Sequence, residues 1–284
     1  MSKPYVGATM DRMYNNREMV PEFPNFLQRW TADSAEAVRS QSRELDLRYG
    51  GGPSEHLDVF PASRPDAPVL FFIHGGYWRS LDKRDFSFIA PAFTQKDVCV
   101  VVPNYALCPA VTIPQITMQM VAALAWTWRN IARHGGDPAR ITVAGHSAGG
   151  HLAAMMAACL WPVFGRDLPA NLVRNGLAIS GLHDLEPIMH TPFLQPDLHL
   201  TPQQVRQASP ARLPAPAQGT LYAVAGGDES AEFHRQNRLL RAAWGEQRVP
   251  LCDSLSGLNH FSVLDSLLKP GERLNQLALK LLQS

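Results

Sequence analysis

Ser147 lies in the segment GHSAG (residues 145–149), which fits the G-x-S-x-G pattern of a nucleophilic serine. The pattern stands between an apolar segment at 140–145 and an Ala- and Met-rich segment at 148–160, which are typical of a buried strand and a helix. A tight turn between the two would lift the serine oxygen clear of the backbone. The amino end of the helix would also favour the negative charge that develops during attack on a carbonyl. Ser147 is therefore the predicted nucleophile.

A second motif, HGGYW at residues 74–78, directly follows an apolar run at 69–73 that is typical of a strand buried on both faces. A serine that attacks a carbonyl turns the carbonyl oxygen into an anion, which needs hydrogen-bond donors already in place. Gly75 and Gly76 offer backbone N–H groups that no side chain screens, and Ala148 offers the N–H directly after the nucleophile. These three residues are the predicted oxyanion hole.

A nucleophilic serine needs a base, and the base needs an orienting acid. Where a serine turn of this kind carries a triad, the order along the chain is serine, acid, histidine. Among the later histidines only His260 follows the last predicted strand in a loop, so it is the predicted base. The acid should follow the strand predicted at 219–227, which makes Asp228 the first candidate, with Glu229 as the fallback and Asp184 as the alternative.

The elements that must position these residues alternate between strand and helix from about residue 68 onward. This alternation predicts an α/β fold with a mostly parallel central sheet and helices on both faces. Two short strands are predicted before it, at 43–49 and 55–60. Ligands bind beyond the carboxyl ends of the strands in such sheets, and the residues singled out above all follow predicted strands. We therefore expect them to share one rim of the sheet.

Two segments lie outside the alternation, and we expect both to belong to a single domain spanning residues 1–284. Residues 1–42 form an N-terminal extension, with a helix that Thr31 or Asp33 could cap. Residues 182–217 are rich in proline and are interpreted as an insertion that covers the active-site rim.

Composition excludes several other classes of protein. The net charge of +1 with no basic block argues against nucleic acid or an anionic membrane as partner. The N-terminus lacks the apolar core of a signal peptide, and no apolar run is long enough to span a membrane. The four cysteines form no CxxC pair, which fits free thiols in a reducing cytoplasm better than disulfides or zinc. We expect a cytoplasmic protein that acts on a small molecule.

With these residues in view, the chain resembles the α/β-hydrolases of the hormone-sensitive-lipase group and, within it, the kynurenine formamidases (arylformamidases). The resemblance rests on six segments: HGGYW (74–78), NYALCP (104–109), GHSAGGHL (145–152), ISGLHDLEP (179–187), GGDESAEFHRQ (226–236) and LNHFSVL (258–264). It implies an α/β-hydrolase fold and serine hydrolase activity without metal or organic cofactor. It also implies Ser147, Asp228 and His260 as the triad, and Gly75, Gly76 and Ala148 as oxyanion donors.

Tyr77 and Trp78 bear on the substrate. Many lipase-like relatives carry a third glycine where this chain has Tyr77, and an acidic residue where it has His146. Two rings beside the oxyanion donors would keep the acyl space small, as suits a formyl group, so both are predicted pocket residues. Trp78 fits a core position beneath the loop equally well.

Three functions follow from this reading. The first is hydrolysis of an aryl formamide, such as N-formylkynurenine, or of a short acyl amide or ester through an acyl-enzyme. The second is a short-chain carboxylesterase. The third is a non-catalytic binding protein on a hydrolase fold, and the complete set of serine, acid and base weighs against it.

Overall fold

A central β-sheet organises the computed structural model, which describes residues 5–284. Its eight strands are β1 (Glu44–Arg48), β2 (His56–Phe60), β3 (Ala67–Ile73), β4 (Cys99–Pro103), β5 (Gly136–His146), β6 (Val173–Ile179), β7 (Thr220–Gly226) and β8 (Leu251–Leu255). Their order in the sheet is β1-β2-β4-β3-β5-β6-β7-β8. Strand β2 runs antiparallel to both neighbours, and every pair from β4 to β8 is parallel. The predicted α/β-hydrolase fold with a mostly parallel sheet is confirmed.

Helices cover both faces of the sheet. Residues 5–284 form thirteen α-helices: α1 (Gly7–Tyr14), α2 (Asn16–Met19), α3 (Phe23–Ser40), α4 (Ala90–Thr94), α5 (Ile113–Asn130), α6 (Ala148–Ala157), α7 (Trp161–Phe164), α8 (Glu186–Met189), α9 (Gln195–Leu198), α10 (Pro202–Ala208), α11 (Ala231–Trp244), α12 (Val263–Leu268) and α13 (Arg273–Gln283). Within residues 5–284 no helix combines the length and apolar character needed to cross a membrane.

The pleat of β3 divides the core into two layers. All seven residues of this strand are buried, and successive side chains point to opposite faces. Phe71 packs in the layer that contains Leu124 of α5 and Leu152 of α6. Phe72 packs in the opposite layer, with residues of α12 and α13 such as Leu264. Burial on both faces explains why the sequence of this strand is an uninterrupted apolar run.

The N-terminal helix α3 is longer than the sequence predicted. It starts at Phe23, and Thr31 and Asp33 lie inside it instead of capping it. Pro24 occupies the first turn, where a missing N–H costs nothing. Trp30, which is 2% exposed, then anchors the helix in the second core layer.

A buried ion pair fixes the segment that leaves the HGGYW loop. The Lys83 ammonium lies against Asp58 of β2 and 2.9 Å from Asp46. The side chains of Lys83 and Asp58 are 1% and 2% exposed. Because both charges are removed from water, each depends on the other for its stability.

We predict that Lys83→Met destabilises the fold by about 3–5 kcal/mol, because it leaves the Asp58 carboxylate buried without its cation. Urea unfolding of the purified variant measures the change. The matched control is Lys96→Met, which changes an exposed lysine and should stay within about 0.5 kcal/mol of the original protein. Equal stability of the two variants would contradict the assigned ion pair.

Candidate active site

The turn at Ser147 has the geometry of a nucleophile elbow. Its backbone torsions are φ 57° and ψ −117°, a strained conformation for a residue with a side chain, which costs about 1–3 kcal/mol. Strand β5 ends one residue before it and helix α6 begins one residue after it. The Ser147 N–H donates to the carbonyl of Ile179, which locks the turn against β6 at 2.8 Å.

The two glycines of the G-x-S-x-G pattern are required by close packing. A Cβ on Gly145 would lie 2.2 Å from the carbonyl oxygen of Gly149. A Cβ on Gly149 would lie 2.0 Å from the carbonyl oxygen of Ile73, the last residue of β3. Real side chains never approach so closely, so only glycine lets strand and helix meet at this angle. The G-x-S-x-G segment therefore forms the tight turn from β5 to α6 that carries Ser147.

His260 is held by a buried carboxylate. Its Nδ1 lies 2.7 Å from Oε2 of Glu229, and the side chains are 5% and 0% exposed. The other carboxylate oxygen, Oε1, accepts hydrogen bonds from the Ser180 hydroxyl at 2.5 Å and the Gly226 N–H at 2.6 Å. These donors fix the carboxylate, and a fixed carboxylate holds the imidazole in the tautomer with its proton on Nδ1. This leaves Nε2 free to accept a proton.

The expectation that Asp228 is the orienting acid is wrong in this structure, because Glu229, the fallback, makes the contact. Strand β7 ends at Gly226, and the chain then turns so that Asp228 is exposed while Glu229 returns beneath the sheet edge. The Asp228 N–H donates to the carbonyl of Leu258, which fixes the turn. The alternative, Asp184, instead forms an ion pair with Arg212 at 3.0 Å.

His146, the residue before the serine, fixes the loop that carries His260. Its Nε2 lies 2.7 Å from the carbonyl oxygen of His260, so Nε2 carries the proton and donates it. Burial lowers the pKa of His146 well below its usual value, and the nearby charge of His260 lowers it further. A neutral His146 therefore positions the His260 loop without competing for the proton of the serine.

The HGG loop lies against the nucleophile. A Cβ on Gly75 would lie 3.2 Å from the Cβ of Ser147, so its backbone approaches the serine directly. Gly76 has φ +107°, and a Cβ there would lie 2.1 Å from the carbonyl oxygen of Ser80. Ala148 is the first residue of α6 and is fully buried. The structure thus brings together the three residues that the sequence predicted as oxyanion donors.

His74 supports this loop as a neutral side chain. Its ring stacks on Tyr105 with 4.1 Å between centroids, and its Nδ1 donates to the carbonyl of Gly75 at 2.8 Å. Burial lowers the pKa of His74 to about 4. The Tyr105 hydroxyl donates to the carbonyl of His74 at 2.9 Å, which completes the clamp.

Tyr77 and Trp78 have different environments. Tyr77 lines the cavity in front of Ser147, and its hydroxyl donates to the carbonyl of Tyr14 at 2.6 Å. Trp78 is fully buried, and its ring meets His151 edge-on at 5.0 Å within the core. The prediction of Trp78 as a pocket residue is therefore wrong. Both residues have positive φ, so their side chains do not alternate between two faces as they would in a strand. The Trp78 side chain is therefore directed into the core beneath the loop.

A cavity of about 400 Å³ opens above Ser147 and His260. Its wall includes seven residues that the sequence analysis missed, all from the N-terminal extension: Asn15, Asn16, Arg17, Glu18, Phe23, Leu27 and Trp30. The insertion at 182–217, which we expected to cover the rim, contributes Phe193 alone to this wall. The extension carries no motif or spacing that indicates chemistry, so only its position in the fold reveals its role.

Comparisons with known proteins agree with this geometry. The BD-FAE family model matches residues 57–161. The kynurenine formamidase of Danio rerio is 28% identical over 87% of this chain and 85% of its own length. A carboxylesterase of Mycobacterium tuberculosis is 39% identical, but over 44% of this chain and 45% of its own.

Solved structures extend the same result. A crystal structure from Silicibacter sp. TM1040, described as a thioesterase, superposes on this chain with a TM-score of 0.83 at 28% identity. The match covers 97% of this chain and 99% of that one. An esterase from Pyrobaculum calidifontis shares the fold, with a TM-score of 0.68 at 17% identity over 99% of both chains. This chain is therefore an α/β-hydrolase like those of the hormone-sensitive-lipase group, and it is a hydrolytic enzyme. Over most of its length it resembles the kynurenine formamidases.

We predict that Glu229→Gln lowers kcat by about 10⁴-fold, because an amide can hold the imidazole in the wrong tautomer. The matched change Asp228→Asn should leave kcat near its original value, since that side chain is exposed. Steady-state kinetics on an activated ester measure both, and thermal unfolding checks that each variant is folded. A larger loss in Asp228→Asn than in Glu229→Gln would contradict the contact seen here.

Proposed function

We propose that the protein is a serine hydrolase that cleaves aryl formamides, with N-formylkynurenine as the representative substrate. One observation carries the choice of a formamide over an ester. The sequence similarity to the kynurenine formamidase of Danio rerio extends over 87% of this chain. The similarity to the carboxylesterase of Mycobacterium tuberculosis extends over only 44% of this chain. In this proposal the enzyme acts in tryptophan breakdown in the cytoplasm.

The proposed reaction begins at Ser147. His260 Nε2 takes the hydroxyl proton as the serine oxygen bonds to the formyl carbon, and Glu229 stabilises the imidazolium that forms. The N–H groups of Gly75, Gly76 and Ala148 hold the resulting oxyanion. The C–N bond then breaks, and the arylamine leaves with the proton from His260. Water, activated by the same histidine, releases formate and restores the serine.

Two features of the site support this chemistry. The buried carboxylate of Glu229 holds His260 Nδ1 at 2.7 Å, which leaves Nε2 as the ring nitrogen that can take a proton from a serine. The backbone at Gly75 lies close to Ser147, as a donor to an oxyanion formed on attack by this serine would have to. Both observations weigh against a non-catalytic binding protein.

A short-chain carboxylesterase is the second candidate. The partial matches to esterases favour it, and the same serine, histidine and oxyanion donors would serve an ester. The two activities are separated by comparing kcat/KM for N-formylkynurenine and p-nitrophenyl acetate. The formamidase proposal predicts efficient turnover of the formamide, and an enzyme that hydrolyses only the ester would overturn it.

We predict that Ser147→Ala lowers kcat by roughly 10⁴- to 10⁶-fold on either substrate while the fold is kept. The reason is that the acyl-enzyme cannot form without the hydroxyl. Stopped assays with high enzyme concentration measure the residual rate, and circular dichroism checks the fold. Near-normal turnover by the pure variant would exclude the serine mechanism.

A further prediction concerns acyl length. Tyr77 lines the cavity next to the oxyanion loop and is held there by the carbonyl of Tyr14. We expect formyl and acetyl substrates to react faster than butyryl ones with the same leaving group, since a clash of one or two methylenes costs roughly 1–3 kcal/mol. Tyr77→Gly should narrow this gap, because it removes the ring where φ is already positive.

The control for that prediction is Tyr77→Phe, which keeps the ring and removes only the hydroxyl. It should retain the preference for short acyl groups. An enzyme that prefers hexanoate to acetate esters and ignores formanilides would leave the carboxylesterase function in place of the formamidase.

A further inference from the structure

The segment Asn15–Glu18 forms the part of the cavity wall that no step of the hydrolysis uses. It lies between α1 and α3 and is anchored on α11, the helix that follows Glu229. The Tyr14 hydroxyl donates to Glu232 at 2.5 Å and accepts from Gln236 at 3.0 Å. These contacts fix Tyr14, the residue directly before the segment, against the helix that follows Glu229.

The orientation of the Asn16 side chain follows from its neighbour. The Tyr77 hydroxyl uses its one proton on the carbonyl of Tyr14 at 2.6 Å, so it can only accept a hydrogen bond from Asn16. The Asn16 amide nitrogen supplies that bond at 3.3 Å. The amide is therefore oriented with Nδ2 toward Tyr77 and Oδ1 away from it.

That orientation leaves a buried acceptor unused. Asn16 is 4% exposed and lines the cavity, and its Oδ1 has no hydrogen-bond partner among the described residues. Buried polar atoms in folded proteins are nearly always hydrogen-bonded, and each exception requires an explanation. A ligand in the cavity that carries an N–H donor would supply the partner.

Arg17, the next residue of α2, brings a cation to the wall of the same cavity. Its guanidinium lies over the ring of Phe23 at 5.3 Å, and both residues line the cavity. The other arginine of the cavity wall, Arg79, is already bound to Asp197 and to the carbonyl of Phe193. Within residues 5–284, Arg17 is therefore the cavity arginine that remains available to a carboxylate.

We propose that Asn16 and Arg17 form a subsite for the amine half of the substrate, and that this half carries an α-amino-acid head. The Asn16 Oδ1 accepts a hydrogen bond from the ammonium group, and Arg17 binds the carboxylate. The two groups of such a head are attached to one carbon, and Asn16 and Arg17 both belong to α2 and line the same cavity. This subsite rests on the proposed function, because it assigns the leaving group of that reaction.

The test compares ligands with and without the head. The two formamides are N-formylkynurenine and 2-formamidoacetophenone, which keeps the aryl ketone but lacks the amino acid. Arg17→Met and Asn16→Leu should each lower the ratio of kcat/KM for the first over the second by about 10-fold, as expected for a hydrogen bond to a charged group. The matched control is Arg12→Met, since Arg12 is exposed on α1 and bonds to Thr9. It should leave the ratio unchanged.

A second readout does not depend on formamide turnover. Kynurenine and 2-aminoacetophenone, the corresponding amines, are tested as inhibitors of p-nitrophenyl acetate hydrolysis. The subsite predicts that Arg17→Met weakens inhibition by kynurenine about 10-fold more than inhibition by the headless amine.

The outcomes separate the subsite from the proposed function. If the original enzyme ignores both formamides but kynurenine inhibits it through Arg17, the formamidase activity is wrong and the subsite stands. If it hydrolyses both formamides and each variant changes them equally, the subsite is wrong and the activity stands. Inhibition by kynurenine that is insensitive to both Arg17→Met and Asn16→Leu also overturns the subsite.

Discussion

The hydrogen bond between His260 Nδ1 and Glu229 Oε2 is the interaction on which the rest of the site depends. Neither partner is accessible enough for water to replace the other, so the imidazole has one orientation and one tautomer. Glu229 is itself held by two donors at the carboxyl ends of β6 and β7, the hydroxyl of Ser180, which directly follows β6, and the N–H of Gly226, which ends β7. The position of His260, the proposed base, is thus set by the carboxyl ends of neighbouring parallel strands and does not depend on the flexibility of a single loop.

The same sheet edge sets the position of Ser147 and Gly75, the proposed nucleophile and one of the proposed oxyanion donors. Ser147 and Gly75 follow the adjacent strands β5 and β3, and glycine at the contact lets the two backbones approach. The N-terminal extension then encloses this edge, with Trp30 packed near His146 and Phe261. A reaction centre of this kind gains from exclusion of water, because hydrogen bonds to a developing anion are stronger in a low-dielectric site.

The sequence was sufficient where a local pattern coincided with the end of a strand. Ser147 and Gly75 follow strands with clear apolar runs, whereas His260 is the histidine in the loop after the last and weaker strand, β8; the structure places all three at one cavity. Whether Asp228 or Glu229 contacts His260 depends on how the chain turns after Gly226. Two adjacent acidic residues in a sequence do not reveal the direction of that turn. Trp78 was misassigned for a similar reason, since a loop with positive φ does not follow the alternation of a strand. The position of Asn16 in the cavity wall depends on how the N-terminal extension packs against distant parts of the chain. The hydrophobic periodicity of a single sequence does not report such long-range packing.

The central claim is that Glu229 and His260 activate Ser147 as the nucleophile, and covalent labelling tests it most directly. A fluorophosphonate probe reacts with the intact protein, and mass spectrometry of its peptides locates the adduct. We expect a single adduct on Ser147, formed far more slowly in Glu229→Gln and in His260→Ala but at the normal rate in Asp228→Asn. An adduct on another residue, or equal labelling rates in Glu229→Gln and the original enzyme, would contradict it.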